Sequence, residues 1–472
     1  MFLTIDRTLA VPLIRQIFEQ IRHHILTGEW KAGDKLPGSR QLAQTLGVSR
    51  NVVVEAYELL LAEGFIEGKH GAGTFVSAGA FLEQVAEKTP DSLPPFAETV
   101  MKTEGEMIDF RSGIPDLSLF PRRTWARLLQ NASLTADDES FGYGKPEGRM
   151  ELRSAVCSYL RRIRGVHCIP DQVVITSGTT QAITLAARLL LTSADHAVIE
   201  DPITRDIYTM IAATGCRLHP IPVDELGLCT EQLPQDVEPR LIFTTPSHQF
   251  PLGGTLSIQR RIQLIRYARQ TDAYVVEDDY DSEFRHFGAP VSSLQGLAPE
   301  RVIYIGTFSK ILSPALRIGY LILPPALVER CRELKWFTDL HSPPHPQLAL
   351  AQFLEDGSLQ RHIVRMKKRY LKRRDTLIEA LEAAFGKNVG IMGASTGMHL
   401  VAAFAKMTFD SRLLQRAARA GVSLYPVEWH AIRKGKHLNK LIFGYGHLEE
   451  AMIQEGISRL KHVLEEERSF YS

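Results

Sequence analysis

The sequence predicts two folded units of different class, a small helical unit that ends in a β-hairpin and a large α/β unit built on a mostly parallel sheet. The chain has 472 residues, about three times the size of a typical domain. Apolar residues recur at helical spacing in three short segments before residue 64, and a glycine-rich alternating segment follows them. Beyond residue 108, strand-like and helix-like segments alternate in the manner of βαβ units.

Composition and charge are those of an ordinary globular protein. Hydrophobic residues make up 44% and charged residues 23% of the chain, which excludes a disordered or fibrous protein. Lys+Arg number 55 and Asp+Glu 54, so binding to nucleic acid or membranes by bulk charge is not expected, although a local basic surface stays open. The most apolar helical stretch is short and carries Arg188, and we predict a cytoplasmic protein that does not enter a membrane.

The five cysteines are scattered along the chain without a CxxC pair. An odd, unpatterned set of this kind predicts neither a disulfide framework nor a zinc cluster. We therefore expect buried free thiols and no metal site.

Three short helices and a hairpin are predicted for the first unit. The helices are expected at Pro12–Leu26, Ser39–Leu46 and Ser49–Gly64, with Ser49 as the N-cap of the third. The segment Phe65–Val76 alternates glycine with strand-forming residues and predicts a hairpin or wing. Because Gly47-Val-Ser49 joins the second helix to the third, the pattern indicates a helix-turn-helix, and the unit is expected to end near Val76.

A helix-turn-helix places the start of its second helix at base edges in the major groove of DNA. Ser49, Arg50 and Asn51 are therefore the expected base contacts. Arg40 can reach a phosphate, and Lys69 at the hairpin tip can touch the backbone or the minor groove. Residues 1–76 carry eight Lys/Arg and eight Asp/Glu, so affinity for DNA must come from placement. The alternative that stays open is a three-helix packing module with a solvated basic face.

Motifs run along the whole first unit, namely Pro12-Leu-Ile-Arg-Gln-Ile, Gly28-Glu-Trp-Lys-Ala-Gly-Asp-Lys-Leu-Pro, Ser39-Arg-Gln-Leu-Ala, Leu46-Gly-Val-Ser-Arg-Asn, Ala56-Tyr-Glu-Leu-Leu, Glu63-Gly-Phe-Ile and Gly71-Ala-Gly-Thr-Phe-Val. Together they resemble the GntR family of winged helix-turn-helix proteins. This resemblance implies binding to operator DNA, commonly as a homodimer on paired half-sites.

Residues 77–107 predict a linker. This segment contains Pro90, Pro94 and Pro95 and mixed charges without steady periodicity. A partly helical stretch is expected near Phe81–Glu87.

The alternation that follows places the α/β unit at residues 108–472, with a smaller helix-rich α+β subdomain from about 350 to 472. Such alternation predicts a sheet that is covered by helices on both faces. Strands are expected at 172–176, 197–200, 241–244, 273–277 and 302–306, and helices at 180–191 and 258–270.

Polar residues of complementary chemistry follow two of these strands. Asp278 and Tyr280 come after the strand that ends at Glu277, and Lys310 comes after the strand that ends at Gly306. Because open α/β sheets bind ligands at the carboxyl ends of their strands, these side chains are expected to converge. A lysine can form a Schiff base with an aldehyde, and an aspartate can keep a pyridine nitrogen protonated. Pyridoxal phosphate (PLP) requires both groups.

A phosphate site is predicted next to them. Ser177-Gly178-Thr179 lies between a strand and a helix, where free N–H groups and the helix dipole favour a phosphate, and Ser309 and Arg317 can complete the site. Each feature also has a purely structural explanation, as a helix cap, an ion pair or a solvated lysine. Their order and joint placement favour the cofactor.

Four motifs from the second unit stand out, namely Thr176-Ser-Gly-Thr-Thr-Gln-Ala, Thr244-Thr-Pro-Ser-His-Gln-Phe-Pro, Glu277-Asp-Asp-Tyr-Asp-Ser-Glu-Phe-Arg and Gly306-Thr-Phe-Ser-Lys-Ile-Leu-Ser-Pro-Ala-Leu-Arg-Ile-Gly-Tyr. They resemble fold-type I aminotransferases and, in particular, the MocR/GabR subfamily, which fuses a GntR-type domain to an aminotransferase-like domain.

This resemblance implies a PLP-dependent transferase fold and gives each residue a role. Lys310 would form the Schiff base, Asp278 would bind the pyridine nitrogen and Tyr280 the phenolic oxygen. Thr179, Ser309 and Arg317 would contact the phosphate. Tyr143, in the segment Phe141–Gly148, would reach the phosphate in the partner subunit of a dimer.

The side of the resemblance that concerns substrate is incomplete. Thr204 stands where relatives place an aromatic ring over the cofactor, and Asp206 stands where GabR carries an effector-binding arginine. Near the C-terminus, Trp429 or Ile442 takes the place of a carboxylate-binding arginine, although Arg433 lies close in sequence. Because a carboxylate is best held by a bidentate cation, these replacements argue against amino-acid turnover and against a GABA effector.

The sequence thus predicts a DNA-binding transcriptional regulator of the MocR/GabR type. Its expected signal is PLP itself, or an adduct of PLP with a small amine that lacks a tightly held α-carboxylate. Two alternatives stay open. A catalytically active fold-type I aminotransferase is permitted by Lys310 and Asp278 but disfavoured by the missing carboxylate anchor. A scaffold that represses without PLP is the other.

Overall fold

The computed structural model describes residues 3–80, 107–288 and 291–471, with side chains up to residue 466 in the last helix. The chain divides into two compact units at the boundary between residues 101 and 102. Most of the expected linker at 77–107, and all of its expected helix near Phe81–Glu87, lie outside the described residues. Each unit is therefore described by itself.

The first unit is a bundle of three helices with an antiparallel hairpin. The apolar positions that predict the first helix form its core, since Ile17, Phe18, Ile21 and Ile25 are all buried. Gly47 ends the second helix in the left-handed conformation, with φ 61°, which a residue without a Cβ adopts readily. The elements are α1 (Leu13–Leu26), α2 (Ser39–Leu46), α3 (Arg50–Ala62), β1 (Ile66–Lys69) and β2 (Gly73–Val76).

The larger part of the second unit alternates strands and helices as predicted. Its elements are β3 (Ile108–Asp109), α4 (Arg122–Thr135), α5 (Met150–Arg164), β4 (Val173–Thr176), α6 (Thr179–Leu190), β5 (His196–Asp201), α7 (Arg205–Ala212), β6 (Arg217–Asp224), β7 (Gly227–Leu228), β8 (Leu241–Thr244), α8 (Ile258–Gln270), β9 (Tyr274–Asp279), β10 (Val302–Thr307), β11 (Gly319–Ile322), α9 (Val328–Asp339) and α10 (Pro344–Glu355).

Eight strands form the central sheet, in the order β4-β11-β10-β9-β8-β5-β6-β7. The neighbours from β10 to β6 are parallel, whereas β11 is antiparallel to both β4 and β10. The expected mostly parallel α/β fold is therefore confirmed, with β11 as an antiparallel strand that the sequence patterns did not reveal. Successive residues serve opposite faces: Val276 packs in the cluster with α6 and α9, and Val275 packs in the cluster with α8.

The last segment builds a small α+β subdomain. Its four-stranded antiparallel sheet has the order β12-β13-β16-β15. Strand β3, from the start of the unit, pairs with β14 in parallel, with Ile108 opposite Val422. The subdomain thus includes residues that the expected range of about 350 to 472 omits. Its elements are α11 (Ser358–Phe385), β12 (Val389–Met392), β13 (His399–Phe404), α12 (Ser411–Arg419), β14 (Val422–Ser423), β15 (Tyr425–Pro426), β16 (Lys440–Gly444) and α13 (Glu450–Tyr471).

All five cysteines are buried and none forms a disulfide. In the part of the chain that the structure describes, no helix combines the length and apolar character needed to cross a bilayer.

Candidate functional site

The register of two parallel strands brings the predicted lysine and aspartate to one edge of the sheet. Asp278 lies opposite Ile305, and Asp279 lies opposite Gly306, in the β9–β10 pair. Strand β9 runs to Asp279, two residues beyond its expected end, so Asp278 belongs to the strand itself. Lys310 follows β10 by three residues.

A cavity of about 960 Å³ opens at this edge. Volumes of this size are typical of small-molecule and cofactor sites. Six of the predicted site residues line the cavity, namely Thr179, Asp278, Tyr280, Ser309, Lys310 and Arg317.

The predicted phosphate loop lies between β4 and α6. Cross-strand register places Thr176 opposite Gly319, and Gly319 opposite Thr307. Since β11 is antiparallel, its first residues lie at the same edge as the last residues of β4 and β10. This arrangement brings Ser309 and Arg317 to the N-terminus of α6.

Gly178 gives this loop its shape. It is the N-cap residue of α6 and has φ 108°, a conformation that residues with a Cβ rarely adopt. A Cβ at this position would lie 3.0 Å from Nη2 of Arg317, so the guanidinium rests directly over the glycine. Arg317 itself has φ 51°. Among the described residues no carboxylate forms an ion pair with Arg317, and its charge is available to an anion at the helix N-terminus.

Ser177 and Tyr143 are placed differently from the cavity-lining set. The Ser177 N–H and hydroxyl both donate to Oε1 of Gln181, at 2.8 Å and 3.3 Å. Gln181 in turn donates to Asp339 at 2.8 Å, so Ser177 ties the loop to α9. Tyr143 is 84% exposed and meets His341 edge-on.

Asp278 is a buried carboxylate with an unfilled hydrogen-bonding position. It is 5% exposed, and its Oδ1 has no hydrogen-bond partner among the described residues. Burial, reinforced by the charge of Asp279 and opposed by that of Lys310, raises the pKa of Asp278 to about 8. A buried carboxylate without a donor is costly, and a ligand that brings an N–H would remove that cost.

Lys310 lines the same cavity. Its Nζ donates to the carbonyl oxygen of Gly113 at 2.7 Å. Burial lowers the pKa of Lys310, against the opposing charges of Asp281 and Asp278. A lowered pKa increases the share of the neutral amine, which is the form that attacks a carbonyl carbon.

Tyr280 is supported by a network that sequence reasoning did not assign. Its hydroxyl donates to the backbone oxygen of His248 at 3.0 Å. Nδ1 of His248 lies 2.9 Å from Asp281, and Nε2 of His399 lies 3.1 Å from the carbonyl oxygen of Pro251. Burial, followed by the charges of Asp281 and Asp278, raises the pKa of Tyr280, so its phenol stays protonated and acts as a donor. His248 stands in one of the quoted motifs, whereas nothing local marks His399.

The four positions at which the sequence departs from the pattern implied by the resemblance also line the cavity, namely Thr204, Asp206, Trp429 and Ile442. Arg433 does not replace the missing arginine, because its guanidinium donates to the carbonyl oxygen of Pro220 at 3.0 Å.

Other cavity-lining groups were not assigned from the sequence. Arg111 and Arg205 line the same cavity. Burial lowers the pKa of His430 to about 4, so this ring adds no positive charge at neutral pH.

In the first unit, four of the five expected DNA contacts lie at the starts of α2 and α3. Arg40, Ser49, Arg50 and Asn51 are exposed. Nε of Arg50 lies 3.4 Å from Oγ of Ser39, which joins the starts of α2 and α3. Ser49 occupies the N-cap position as expected, but its side chain makes no capping hydrogen bond.

The basic and acidic residues of this unit are equal in number, but ion pairs neutralise only some of the basic side chains. Arg15 and Arg22 both pair with Glu19 on α1. Lys69 on the hairpin pairs with Glu67 at 3.2 Å and lies over the ring of Phe75 at 5.2 Å. No carboxylate of the described residues pairs with Arg40 or Arg50, so positive charge remains at the starts of α2 and α3.

Comparisons with known proteins place both units in families. Residues 13–76 match the bacterial regulatory proteins of the gntR family, and residues 105–426 match aminotransferase class I and II. The probable rhizopine catabolism regulatory protein MocR of Rhizobium meliloti is 35% identical to this chain, and the match covers 97% of this chain and 95% of that protein. The chain belongs to the MocR/GabR subfamily of GntR-type transcriptional regulators.

Two further similarities are to a second regulator and to an aminotransferase of known structure. The pyridoxine biosynthesis transcriptional regulator PdxR of Corynebacterium glutamicum is 30% identical over 92% of each chain. The kynurenine aminotransferase of Pyrococcus horikoshii, solved in complex with PMP, is 30% identical, with a TM-score of 0.72 over 77% of this chain and 92% of its own. The second unit therefore has the aminotransferase fold, and the whole chain has the order of units found in the regulators.

Proposed function

We propose that this regulator binds operator DNA through residues 1–76 and PLP through residues 108–472, with residues 77–107 as the linker. The observation that carries the proposal is the convergence of Lys310, Asp278 and Arg317 on one cavity of a chain that begins with a helix-turn-helix. The first two supply an amine and a carboxylate, and the third supplies a cation at a helix N-terminus.

The residues present fit PLP on three separate points. The unpartnered Oδ1 of Asp278 can accept a hydrogen bond from a protonated ring nitrogen. The N-terminus of α6, with Arg317 over Gly178, can hold a phosphate. Lys310 offers the amine for the aldehyde. When bound, PLP supplies a carbonyl group that condenses with amines and a ring that withdraws electrons.

Regulation requires that the ligand bind one arrangement of the protein better than another. We propose that PLP, or its adduct with a small amine, favours one arrangement of the second unit and so changes the affinity of the first unit for DNA. The name of the relative PdxR, which refers to pyridoxine biosynthesis, is in keeping with a signal of this kind.

We also propose a homodimer, located in the cytoplasm with the DNA that it binds. Within one chain Phe141, Tyr143 and Phe337 are 65%, 84% and 79% exposed. Large aromatic side chains in such numbers favour burial against a partner. A second copy of the chain would cover them and would bring Tyr143 to the phosphate of the neighbouring site.

The decisive experiment measures DNA affinity as a function of PLP. An operator is first selected from random duplexes with the full-length protein, and the apo protein is then titrated against the labelled operator at increasing PLP. We expect a change of at least several-fold in affinity, and no change in the Lys310→Ala variant. Equal affinity from apo protein to saturation would exclude PLP as the signal.

A simpler measurement tests the cofactor itself. The purified protein should gain an absorbance band from bound PLP that Lys310→Ala lacks. Failure to gain that band would support the scaffold that works without PLP. Sustained turnover of an amino donor and a keto acceptor, lost in Lys310→Ala, would instead establish the aminotransferase alternative.

A further inference from the structure

The wall of the cavity formed by the small subdomain carries an aliphatic residue, Ile442, at one of the positions where the resemblance to aminotransferases implies an arginine. Ile442 on β16 is buried and lines the cavity. Tyr425, its partner across the β15–β16 pair, lines the cavity as well. This wall therefore presents an aliphatic side chain and a phenol.

A different segment brings a guanidinium to the same place. The N–H of Gly444 donates to the carbonyl oxygen of Phe110 at 2.8 Å, which fixes the segment after β3 against β16. A Cβ on Gly444 would collide with the backbone carbonyl group of Arg111, so only glycine permits this close approach. Ile442 and Gly444 are two residues apart on one strand and share a face. The backbone of Arg111 thus packs against the face of β16 that carries Ile442, and both residues line the cavity.

Arg111 lines the cavity, and its charge acts on two other residues that line it. After the effect of burial, its positive charge contributes to lowering the pKa of Lys310 and opposes the rise in the pKa of Tyr425. Asp109, the nearest carboxylate in sequence, accepts from the Tyr425 hydroxyl at 2.7 Å and from the backbone N–H of Arg111 at 2.9 Å. Among the described residues, no carboxylate forms an ion pair with the Arg111 guanidinium.

The other cations of the cavity are placed for different tasks. Arg317 lies over the phosphate loop. Lys434 donates to the backbone oxygen of Glu428 at 2.9 Å. Arg205 and Arg111 are both exposed, but Arg205 lies at the start of α7, whereas the backbone of Arg111 packs against β16. Arg111 is therefore the arginine on the wall that carries Ile442.

We propose that Arg111 binds the carboxylate of an effector whose amine reaches Lys310, so that the signal is an amino acid rather than a simple amine. The arginine that is absent from β16 is replaced in space by one from the segment packed against that strand. This proposal rests on the PLP site proposed above and defines the class of amine that acts there.

The test uses pairs of amines in which a methyl group replaces the carboxylate. Full-length protein saturated with PLP is titrated calorimetrically with L-alanine and isopropylamine, β-alanine and propylamine, and 4-aminobutyrate and butylamine. At least one carboxylate-bearing member should bind tenfold or more tightly than its partner. Arg111→Gln should weaken that member by about 10- to 100-fold, the range for loss of a charged hydrogen-bonded pair, and should change the matched amine by less than about twofold.

Two variants serve as controls, and a separate measurement follows the cofactor. Arg205→Gln removes the same charge from the start of α7 and should change the preference for the carboxylate by less than about threefold, whereas Arg111→Lys should retain part of it. Absorbance of bound PLP reports the cofactor independently and should be the same in wild type and Arg111→Gln. Two results would overturn the role of Arg111 and leave the proposed function intact. In both, PLP loads normally; either the wild type shows no preference for the carboxylate, or that preference survives in Arg111→Gln. Loss of PLP loading in wild type overturns the proposed function as well.

Discussion

At the scale of single residues, Asp278 shows how burial prepares a group for its ligand. Its carboxylate is buried at the edge of the sheet. One of its oxygens has no hydrogen-bond partner among the described residues, and the charge of Asp279 acts on it. Such a group stabilises the folded protein only when a positive partner or a proton is present. Ionisation of Asp278 in the cofactor-free protein is therefore a cost that a bound pyridinium nitrogen would offset.

The pH dependence of stability follows from this cost. The pKa of Asp278 is raised to about 8 in the folded chain, so folded protein holds a proton that unfolded chain releases between pH ~4 and ~8. Stability from this group is therefore lost as the pH rises through that window. We expect Asp278→Asn to stabilise cofactor-free protein, by roughly 2–5 kcal/mol at pH ~8.5 and much less at pH ~5.

Urea unfolding of the cofactor-free protein at the two pH values measures this difference, and PLP titration of the same variant completes the test. Weaker binding of PLP is expected despite the gain in stability, because the amide cannot balance a protonated ring nitrogen. A gain that is equal at both pH values would show that Asp278 is not the titrating group.

At the scale of elements, the loop between β4 and α6 depends on a backbone conformation that only glycine adopts readily. Gly178 has φ 108° and supports the Arg317 guanidinium from below. Residue 178 must adopt a positive φ and must leave space for the guanidinium above it. A side chain at this position would strain the backbone and would also displace the guanidinium.

Gly178→Ala should lower the affinity for PLP by about tenfold or more, because the new methyl group displaces Arg317 from the helix N-terminus. Gly215→Ala is the matched control. It has φ 80°, its Cβ would lie 3.2 Å from Ser193, and Ser193 does not line the cavity. Both variants should lose about 1 kcal/mol or more of stability through backbone strain, whereas only the first should lose PLP affinity in a fluorescence titration.

The starts of α2 and α3 carry the expected contacts to DNA bases and phosphates. Asn51→Ala should reduce the preference for the selected operator over a scrambled duplex, by about 1–3 kcal/mol. Arg40→Ala should weaken both duplexes equally and reduce the slope of log affinity against log salt by about one. Arg15→Ala, which removes an arginine already paired with Glu19, should change neither quantity in an anisotropy titration.

At the scale of the whole molecule, the proposed dimer makes each cofactor site depend on two chains. Tyr143 is exposed in the single chain and does not line its cavity. If Tyr143 contacts the phosphate of the neighbouring site, each site takes its Lys310 from one chain and its Tyr143 from the other. Tyr143→Ala and Lys310→Ala then damage a given site through different chains. Two different defective chains can then rebuild one complete site.

Mixing the two variants in equal amounts, with subunit exchange, should restore tight PLP binding at about a quarter of the sites, since half of the dimers are mixed and each has one intact site. Equilibrium dialysis counts these sites, and each variant alone provides the baseline. Tight binding by Tyr143→Ala alone, or no recovery on mixing, would remove Tyr143 from the phosphate site.

Local patterns predicted much of the fold. The helix at 258–270 and the strand at 241–244 lie where their spacing and flanking residues place them. Strand β11 was missed, since its four residues carry no alternation that separates them from a loop, and their pairing with β4 and β10 alone makes them a strand. The subdomain likewise includes β3 through a two-residue pairing with β14 that no local pattern announces.

By itself, the sequence determined the order of the two units, the α/β class of the second and six of the residues that line its cavity, because periodicity and motif spacing act over a few neighbouring residues. Tertiary structure alone decided the rest. Among the described residues it left Oδ1 of Asp278 without a partner, joined His248 to Asp281 and brought Arg111 and Ile442 to the lining of one cavity. Such contacts join residues far apart in the chain through strand register and packing, which the order of amino acids does not reveal locally.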